Sequence, residues 1–185
     1  MAELRADARS NRDQILAAAQ LVFREQGVNV SMKDIADAAG VGVGTLYRRF
    51  PDRGALISAA AHSYLSALAD LAATAERESI DAFDAISRLL RECAELRLGA
   101  LAAAVEPALH TDIKADSTLI EVRTSIADRI ARLTTRAHAE GTLRPDVTPA
   151  DLSRLMTLQI YATPDESYPT AVNRILDLLF DGLRP

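Results

Sequence analysis

The sequence is poor in cysteine and aromatic residues, and it lacks runs of β-branched residues. Its single cysteine, Cys93, cannot form an internal disulfide, and no Cys and His spacing typical of a zinc site is present. Tryptophan is absent and aromatic residues make up 4% of the 185 residues, so Ala and Leu supply most of the apolar content. Because Ala and Leu favour helices while β-branched and aromatic residues favour strands, the composition predicts an all-α protein.

Signals for export and for membrane insertion are also lacking. The first residues, MAELRADARSNRDQ, carry charges where a secretory signal would need an apolar run. The longest uncharged stretch, residues 54–69, contains His62 and several hydroxyl side chains and is too short and too polar to span a bilayer. We therefore expect a cytoplasmic protein of ordinary globular composition, with no membrane partner.

The net charge of −5 argues against indiscriminate binding of nucleic acid, but the charge is unevenly distributed. Residues 1–53 hold eight Lys and Arg against seven Asp and Glu, whereas residues 54–185 hold thirteen against nineteen. The first third is therefore close to neutral and the remainder is acidic. A local basic cluster in the first third could still bind DNA.

Capping residues and apolar periodicity divide the first third into three predicted helices, at residues 10–26, 32–39 and 42–50. Ser10 and Ser31 are the predicted N-caps of the first two, and Asp34 lies in the first turn of the second. Pro51 ends the third helix because proline disfavours helical geometry in the residue before it. Two short helices separated by a glycine-containing turn form a helix-turn-helix unit.

The rest of the chain predicts further helices, at residues 53–76, 80–97, 119–140, 148–161 and 168–183. Pro107 interrupts an alanine-rich segment, and the following HTDIKADS is predicted to be a loop. These patterns predict two domains: a helix-turn-helix domain at residues 1–52 and a larger helical domain at residues 53–185.

The segment GVGVGTLYRRFPDRGAL, residues 40–56, places two glycines directly before a run of aromatic and basic residues. A turn of about 100° per residue from a buried Leu46 puts Phe50 near the core and directs Gly44 and Arg48 outward. Without a side chain at position 44, this helix could approach a groove wall closely. The hydroxyls of Thr45 and Tyr47 would suit contacts with phosphate oxygens. The guanidinium of Arg48 would suit a guanine edge, and the side chain of Val43 a thymine methyl group.

Residues 11–56, NRDQILAAAQLVFREQGVNVSMKDIADAAGVGVGTLYRRFPDRGAL, resemble the N-terminal DNA-binding domain of the TetR family of bacterial transcriptional regulators. The resemblance implies a three-helix DNA-binding head followed by a larger helical body that binds a ligand and dimerises. It also implies that Ser31, Thr45, Tyr47 and Arg53 contact the DNA backbone, and that positions 42, 43 and 48 help to select sequence.

Gly42 and Val43 depart from the family pattern, in which position 42 is often a hydroxyl cap and position 43 is often polar or basic. This departure shifts the predicted base readout towards Arg48 and Arg49. The predicted DNA-binding residues are Ser31, Val43, Gly44, Thr45, Tyr47, Arg48, Arg49 and Arg53.

The partners implied by the family are a palindromic double-stranded operator, a second copy of the chain and a small effector, with no cofactor and no metal. An apolar, alanine-lined interior suggests a hydrophobic effector. The candidate pocket residues are Tyr64, Phe83, Leu90, Cys93, His110, Met156 and Tyr161. The candidate dimer residues, on the last two helices, are Leu152, Leu155, Val172, Ile175, Leu176 and Leu179. Effector binding is expected to shift the helix that starts at Arg53.

Simpler interpretations remain open at this point. Each pocket or dimer residue could serve only the core, and His110 with Asp112 and Asp116 could belong to a solvated loop or bind a divalent ion. Arg5 and Arg9 could reach a minor groove or lie in a disordered arm. The sequence of the helical body contains no nucleophile motif, paired carboxylates or phosphate-binding loop that would support an enzyme. A ligand-binding protein with a non-functional head is the remaining alternative.

Overall fold

The computed structural model describes residues 2–27, 29–103 and 117–185, and every regular element in these ranges is an α-helix, which confirms the predicted fold class. In chain order the helices are α1 (Ala2–Gln26), α2 (Met32–Ala38), α3 (Val43–Arg49), α4 (Arg53–Glu78), α5 (Ala82–Glu95), α6 (described over residues 98–103), α7 (Ser117–Ala139), α8 (Pro149–Leu155) and α9 (Tyr168–Leu183).

The described residues form two compact units. The first contains the chain up to Tyr64 together with residues 100–103, and the second contains Leu65–Gly99 together with residues 117–185. The division falls inside α4, twelve residues after the domain boundary expected from sequence at residues 52 and 53.

Helices α1, α2 and α3 pack against one another in the first unit. Their shared core consists of fully or almost fully buried side chains, namely Ile15, Ala19, Phe23, Ile35, Ala36, Leu46 and Phe50. Burying one large apolar side chain contributes roughly 1.5–3 kcal/mol, so this small core can hold three helices, two of them only seven residues long. The helix-turn-helix predicted from sequence is thus formed.

The first helix begins earlier than the sequence indicated. Ser10 was the expected N-cap, but α1 begins at Ala2 and includes Ser10 in its interior. The segment AELRADARS contains no glycine or proline, and most of its residues are strong helix formers. Helix therefore propagates past a residue whose capping preference is worth only about 1 kcal/mol. The backbone at Arg5 and Arg9 is helical rather than a disordered arm.

In the second unit, α5 packs against both α7 and α9, and α7 packs against α8. Asp81 caps α5 by accepting a hydrogen bond from the Asp84 backbone N–H at 2.7 Å. Glu140, just past the end of α7, accepts a hydrogen bond from the Ala82 N–H at 2.9 Å. An ion pair between Glu76 and Arg129 links α4 to α7 within this unit.

The end of α5 is two residues short of the predicted Arg97. Arg97 itself has φ of 51°, the left-handed conformation that usually falls to glycine or asparagine at the end of a helix. Arginine gives no sequence signal for this conformation, so the break was not foreseeable. The side chain of Arg97 rests over the ring of Tyr168, 3.9 Å from its centroid.

Helix α8 is half as long as predicted. The pattern indicated a helix to Tyr161, but α8 ends at Leu155 with Met156 as its C-cap. Beyond it the chain passes Gly99, where an added Cβ would lie 2.5 Å from the Thr157 carbonyl oxygen and 2.8 Å from that of Leu158. This backbone contact, invisible in the local sequence, fixes a non-helical path for the residues after α8.

Helix α4 is long and apolar enough, by length and composition, to cross a membrane. The sequence count of residues 54–69 underestimated this apolar segment, since α4 extends from Arg53 to Glu78. In the fold, 44% of its most apolar window is buried, and core helices of globular proteins pass the same test. One such helix is weak evidence for a membrane span.

Candidate nucleic-acid interface

Helix α3 presents one face to the core and an opposite polar face to solvent. Leu46 is fully buried and Phe50, its C-cap, is 2% exposed, whereas Tyr47 is 47% exposed. Arg48 and Arg49 are also exposed. The predicted orientation of α3 is therefore present in the structure.

Gly44 lies in the middle of this exposed face. A Cβ placed on Gly44 would meet only the Nη1 atom of Arg48, at 3.9 Å, which is ordinary van der Waals contact. No neighbour in the described fold therefore requires glycine here, although glycine costs a helix about 1 kcal/mol relative to alanine. The space above Gly44 is open to a second molecule.

Arg48 is already held in place on this face. Its Nη2 donates a hydrogen bond to Thr45 Oγ1 at 2.7 Å, one turn earlier on α3. The remaining guanidinium donors can form the fork that matches a guanine edge or a phosphate. Gly44, Thr45 and Arg48 thus form one continuous patch of backbone, hydroxyl and guanidinium.

The start of α3 has no side-chain cap. Gly42 is its N-cap, with φ of −68° and ψ of 142°, and makes no side-chain hydrogen bond. An added Cβ at Gly42 would meet nothing within 4 Å, so the position is open as well. Val43 follows as the first helical residue and is only partly exposed.

Ser31 caps α2 in the manner predicted. Its hydroxyl accepts a hydrogen bond from the Asp34 N–H at 3.0 Å and donates one to Asp34 Oδ2 at 2.7 Å. The Ser31 hydroxyl and backbone N–H together lower the pKa of Asp34. The same hydroxyl is exposed, so it remains reachable from solvent while it stabilises the helix start.

Arg53, the first residue of α4, is only partly exposed. Its guanidinium donates to the backbone carbonyl of Val30, in the turn between α1 and α2. Arg53 therefore ties the start of α4 to the helix-turn-helix unit. The predicted phosphate contact of Arg53 would have to use donors that this bond leaves over, since a guanidinium carries five.

Two residues that sequence reasoning passed over help to orient α2 and α3. Gln14 on α1 donates a hydrogen bond from Nε2 to the carbonyl oxygen of Ala39 at 2.8 Å, at the end of α2. Arg12 places its guanidinium over the ring of Phe50, 5.0 Å from the centroid. Both are exposed polar residues just before the apolar stripe of α1, and the sequence offered no signal for either contact.

The predicted effector residues do not all share one environment. Tyr64, Phe83, Leu90, Cys93 and Met156 are each 5% exposed or less, whereas the side chain of Tyr161 is 77% exposed and donates to Gln159. Because α8 stops at Leu155, Tyr161 lies on the extended chain beyond it rather than on a helix facing the interior. His110 lies outside the described residues, as do Asp112 and Asp116.

Cys93 is buried in α5 and chemically inert. Burial raises the pKa of its thiol from 9.0 to about 12, so almost no thiolate exists near neutral pH. Among residues 2–27, 29–103 and 117–185, no group of three or more His, Cys, Asp and Glu side chains could hold a metal ion.

The predicted dimer residues divide into two groups. Leu152, Val172 and Leu176 are 1–2% exposed because they pack into the core of their own chain, which leaves them unavailable to a partner. Ile175 is 38% exposed, and Leu155 and Leu179 are partly exposed. Leu178, which was not predicted, is 64% exposed. The uncovered apolar face of α9 is therefore offset from the predicted one by part of a helical turn.

Family models match both parts of the chain. Residues 15–60 match the model described as bacterial regulatory proteins, tetR family. Residues 81–185, more than half of the chain, match the model described as transcriptional regulator SbtR-like, C-terminal domain. The first match covers the C-terminal half of α1, all of α2 and α3 and the first turns of α4, and the second begins at the N-cap of α5.

Solved structures and curated proteins give the same result. A TetR transcriptional regulator from Streptomyces coelicolor is 33% identical, with 94% of this chain and 98% of that chain aligned at a TM-score of 0.64. A TetR transcription regulatory protein from Mycobacterium vanbaalenii is 28% identical, with 98% and 99% aligned at 0.67. HTH-type transcriptional regulators of Staphylococcus aureus are 48% identical over 54 residues, which span only 29% of this chain and 29% of theirs.

Proposed function

Because this chain belongs to the TetR family of bacterial transcriptional regulators and carries the family's DNA-binding domain, we propose that it is a cytoplasmic, ligand-responsive repressor. It binds a palindromic DNA operator as a homodimer and is released by a small, hydrophobic effector. The observation that carries this proposal is the exposed face of α3, where Gly44 leaves open space beside an ordered Arg48.

The residues on α3 divide between positioning and reading. Thr45 and Tyr47 offer hydroxyls to phosphate oxygens, which fix the helix on the duplex without reading sequence. Arg48 forks onto a guanine edge, and Val43 contacts a thymine methyl group. Arg49, exposed at the end of α3, adds a second guanidinium for base or phosphate. Gly44 allows the helix backbone to approach the DNA closely.

Ser31 and Arg53 are the proposed phosphate contacts outside α3, and Ser31 would have to release Asp34 Oδ2 to turn its one hydroxyl proton to a phosphate. Ser31 stands at the exposed N-terminus of α2, and Arg53 at the N-terminus of α4, where the positive end of the helix dipole favours an anion. Arg53 is already anchored to Val30, so a phosphate bound there would be held by a side chain of fixed position.

A palindromic operator requires two heads whose recognition helices are about 34–36 Å apart, so the proposal includes a dimer. The uncovered side chains of α9, Ile175 and Leu178, are the centre of the proposed contact, with Leu155 and Leu179 beside them. Two leucine-sized side chains left in water on one helix face are stabilised by burial against a second apolar surface.

The dimer is tested by light scattering on the purified protein. The chain has a mass of 20.0 kDa, so a dimer scatters as a particle of about 40 kDa. The variant with Ile175→Glu and Leu178→Glu should scatter as a monomer, because each change puts a charge into the contact. Both side chains are exposed, so circular dichroism of the variant should remain that of a folded protein. A folded variant that stays dimeric would show that the contact lies elsewhere.

DNA binding is tested with fragmented genomic DNA. The protein should enrich one palindromic site, and binding should weaken steeply as salt rises because phosphate contacts release counterions. Tyr47→Phe should weaken binding to all sequences, whereas Arg48→Ala should cost about 1–3 kcal/mol and relax preference at one base pair. Arg123→Ala, an exposed arginine on α7, is the matched control and should change neither.

The alternative function, a ligand-binding protein with a non-functional head, gives a different result. A folded dimer that enriches no sequence at low salt would mean that the head is non-functional or is held off DNA by a bound ligand, and the pocket would become the site to study. If an operator is found, a reporter gene behind it separates a repressor from an activator, since deleting the regulator raises expression in the first case and lowers it in the second.

The effector response follows from linkage. An effector can release the operator only by binding the free protein more tightly than the DNA-bound protein. The factor by which the effector weakens operator binding must equal the factor by which the operator weakens effector binding. The proposed coupling element is α4, which begins at the anchored Arg53 and continues without a break to Glu78. An effector with equal affinity for free and operator-bound protein would contradict this coupling.

A further inference from the structure

An open groove lies between the first turns of α5 and the end of α9. Its volume is about 590 Å³, within the range of small-molecule sites. Phe83 of α5 and Phe180 of α9 form its apolar part, with their rings edge to face at a centroid distance of 6.4 Å. Phe83 was a predicted effector residue, but the groove it lines opens to the surface.

Three arginines surround the two rings. Arg184 lies with its guanidinium carbon 4.3 Å from the centre of the Phe83 ring, and Arg91 lies 5.7 Å from the centre of Phe180. A guanidinium resting on an aromatic face keeps its N–H donors in its own plane, where they are free to bind an oxyanion from the side. Arg88 lies on the same wall of the groove.

The positive charges are compensated unequally. Arg88 pairs with Glu78 at 2.9 Å, and Arg91 donates to Asn173 at 2.7 Å and lies 3.7 Å from Asp177. Within the part of the chain that the structure describes, Arg184 has no carboxylate within ion-pair distance. Its charge is the one most readily satisfied by a ligand.

The two carboxylates lining the groove are already engaged. Asp81 accepts a hydrogen bond from the Asp84 N–H at 2.7 Å, and Asp84 accepts one from the Ile80 N–H at 3.2 Å. Both carboxylates thus complete the N-terminus of α5, where the helix dipole stabilises them. Because Glu78 and Asp177 pair with Arg88 and Arg91, and Asp81 and Asp84 face the start of α5, Arg184 is the cation of the groove that is left to bind an anion.

Ser87 also lines the groove, but its hydroxyl oxygen is buried and is not presented to a ligand there. The groove therefore combines an apolar ring pair with the guanidinium of Arg184, which has no carboxylate partner among the described residues.

We propose that this groove binds a small organic oxyanion with a flat apolar body, such as an aromatic carboxylate or an aryl phosphate. The apolar body lies against Phe83 and Phe180, and the oxyanion is held by Arg184 with help from Arg91. The site is separate from DNA binding and does not require the proposed repressor function.

Titration calorimetry on the full protein without DNA tests this site, with phenyl phosphate as the probe. Phenyl phosphate should bind at least about tenfold more tightly than inorganic phosphate or benzyl alcohol, because each of these offers only half of the complementary chemistry. If inorganic phosphate binds as tightly as phenyl phosphate, the groove is a simple anion site and the proposal is overturned. The absence of binding at millimolar phenyl phosphate would also overturn it.

Two variants locate the binding. Arg184→Gln should weaken phenyl phosphate at least about tenfold, the scale of one lost charge-assisted hydrogen bond. Arg91→Gln should weaken it less, about threefold, because the charge of Arg91 is already shared with Asp177. Arg123→Gln, which removes an exposed arginine of α7, is the control for net charge. If Arg184→Gln and Arg123→Gln weaken phenyl phosphate binding equally, the proposal is overturned. Operator binding by the wild-type protein is measured separately and does not depend on that result.

Discussion

Gly44 in α3 and Gly99 in α6 are both glycines inside a helix, yet their surroundings are opposite. A Cβ on Gly44 would meet only the end of the Arg48 side chain, at 3.9 Å, whereas a Cβ on Gly99 would lie 2.5 Å from the carbonyl oxygen of Thr157. The space beside Gly99 is filled by the protein's own backbone. The space beside Gly44 is empty in the folded chain.

The difference separates two reasons for placing glycine in a helix. At Gly99 the residue serves folding, since any side chain would collide with the segment after α8. At Gly44 no neighbour among the described residues requires glycine, and the proposed close approach to DNA supplies a reason for it outside the chain. Substitutions at Gly99, at Gly44 and at two further glycines with open surroundings, Gly182 and Gly42, measure the folding role and the binding role separately.

The largest effect is expected at Gly99. Gly99→Ala should lower the free energy of unfolding by about 1–3 kcal/mol, because neither the Thr157 nor the Leu158 backbone can move without disturbing α8. Helix propensity alone predicts the opposite sign, a gain of about 1 kcal/mol. Urea unfolding of wild-type and variant protein measures the difference. A variant as stable as the wild type would mean that the segment after α8 yields easily.

The next effect is expected at Gly44, and it should appear in binding rather than in folding. Gly44→Ala should weaken operator binding about tenfold, since a methyl group keeps α3 from close approach to DNA. Its unfolding free energy should be unchanged or higher by up to about 1 kcal/mol. Fluorescence anisotropy with the enriched operator, paired with urea unfolding, gives both numbers. Unchanged affinity would remove the reason proposed for glycine at this position.

A smaller effect is expected at Gly182 on α9. A Cβ there would meet nothing within 4 Å, and helical geometry places Gly182 on the same side as Ile175 and Leu178. If a second copy packs on this side, Gly182→Ala should raise the dimer dissociation constant about threefold to tenfold, although alanine is the better helix former. Sedimentation equilibrium measures this constant. A tighter dimer would indicate that the partner approaches another side of α9.

The smallest effect is expected at Gly42. Gly42→Ser should raise the free energy of unfolding by only a few tenths of a kcal/mol, because serine at the N-cap differs little from glycine. The backbone at Gly42, with φ of −68°, accepts serine without strain. Thermal unfolding at matched protein concentration would detect the gain. A loss of stability would show that the hydroxyl cannot reach the first turn of α3.

The first unit could be predicted from sequence much better than the second. The boundaries of α2 and α3 were predicted to within one residue, because Ser31, Gly40 and Pro51 are local signals that act on their own neighbours. The outward face of α3 followed from helical geometry once Leu46 was placed inside. The bonds of Arg53 to Val30 and of Gln14 to Ala39 could not be predicted, since they join residues more than twenty positions apart.

In the second unit the errors have long-range causes. Helix α8 ends at Leu155, and the segment after it packs on Gly99, more than fifty residues earlier in the chain. The predicted dimer face included Val172 and Leu176 because periodicity shows that a helix is apolar on two sides, but not which side its own chain covers. The groove around Phe83 and Arg184 is formed by the first turns of α5 and the end of α9. These segments lie about a hundred residues apart in sequence, so no local pattern predicted the groove.

The hydrogen bond from Arg48 to Thr45 affects the entropy of binding. A long side chain that becomes fixed in a complex loses rotamer freedom worth about 0.5–1.5 kcal/mol. In this protein Arg48 donates to Thr45 at 2.7 Å in the absence of DNA, so part of that loss has already occurred during folding. Under the proposed function, Thr45 thus has two roles, a phosphate contact and the ordering of Arg48. Thr45→Val should weaken operator binding through both, and titration calorimetry should show the second as a less favourable binding entropy.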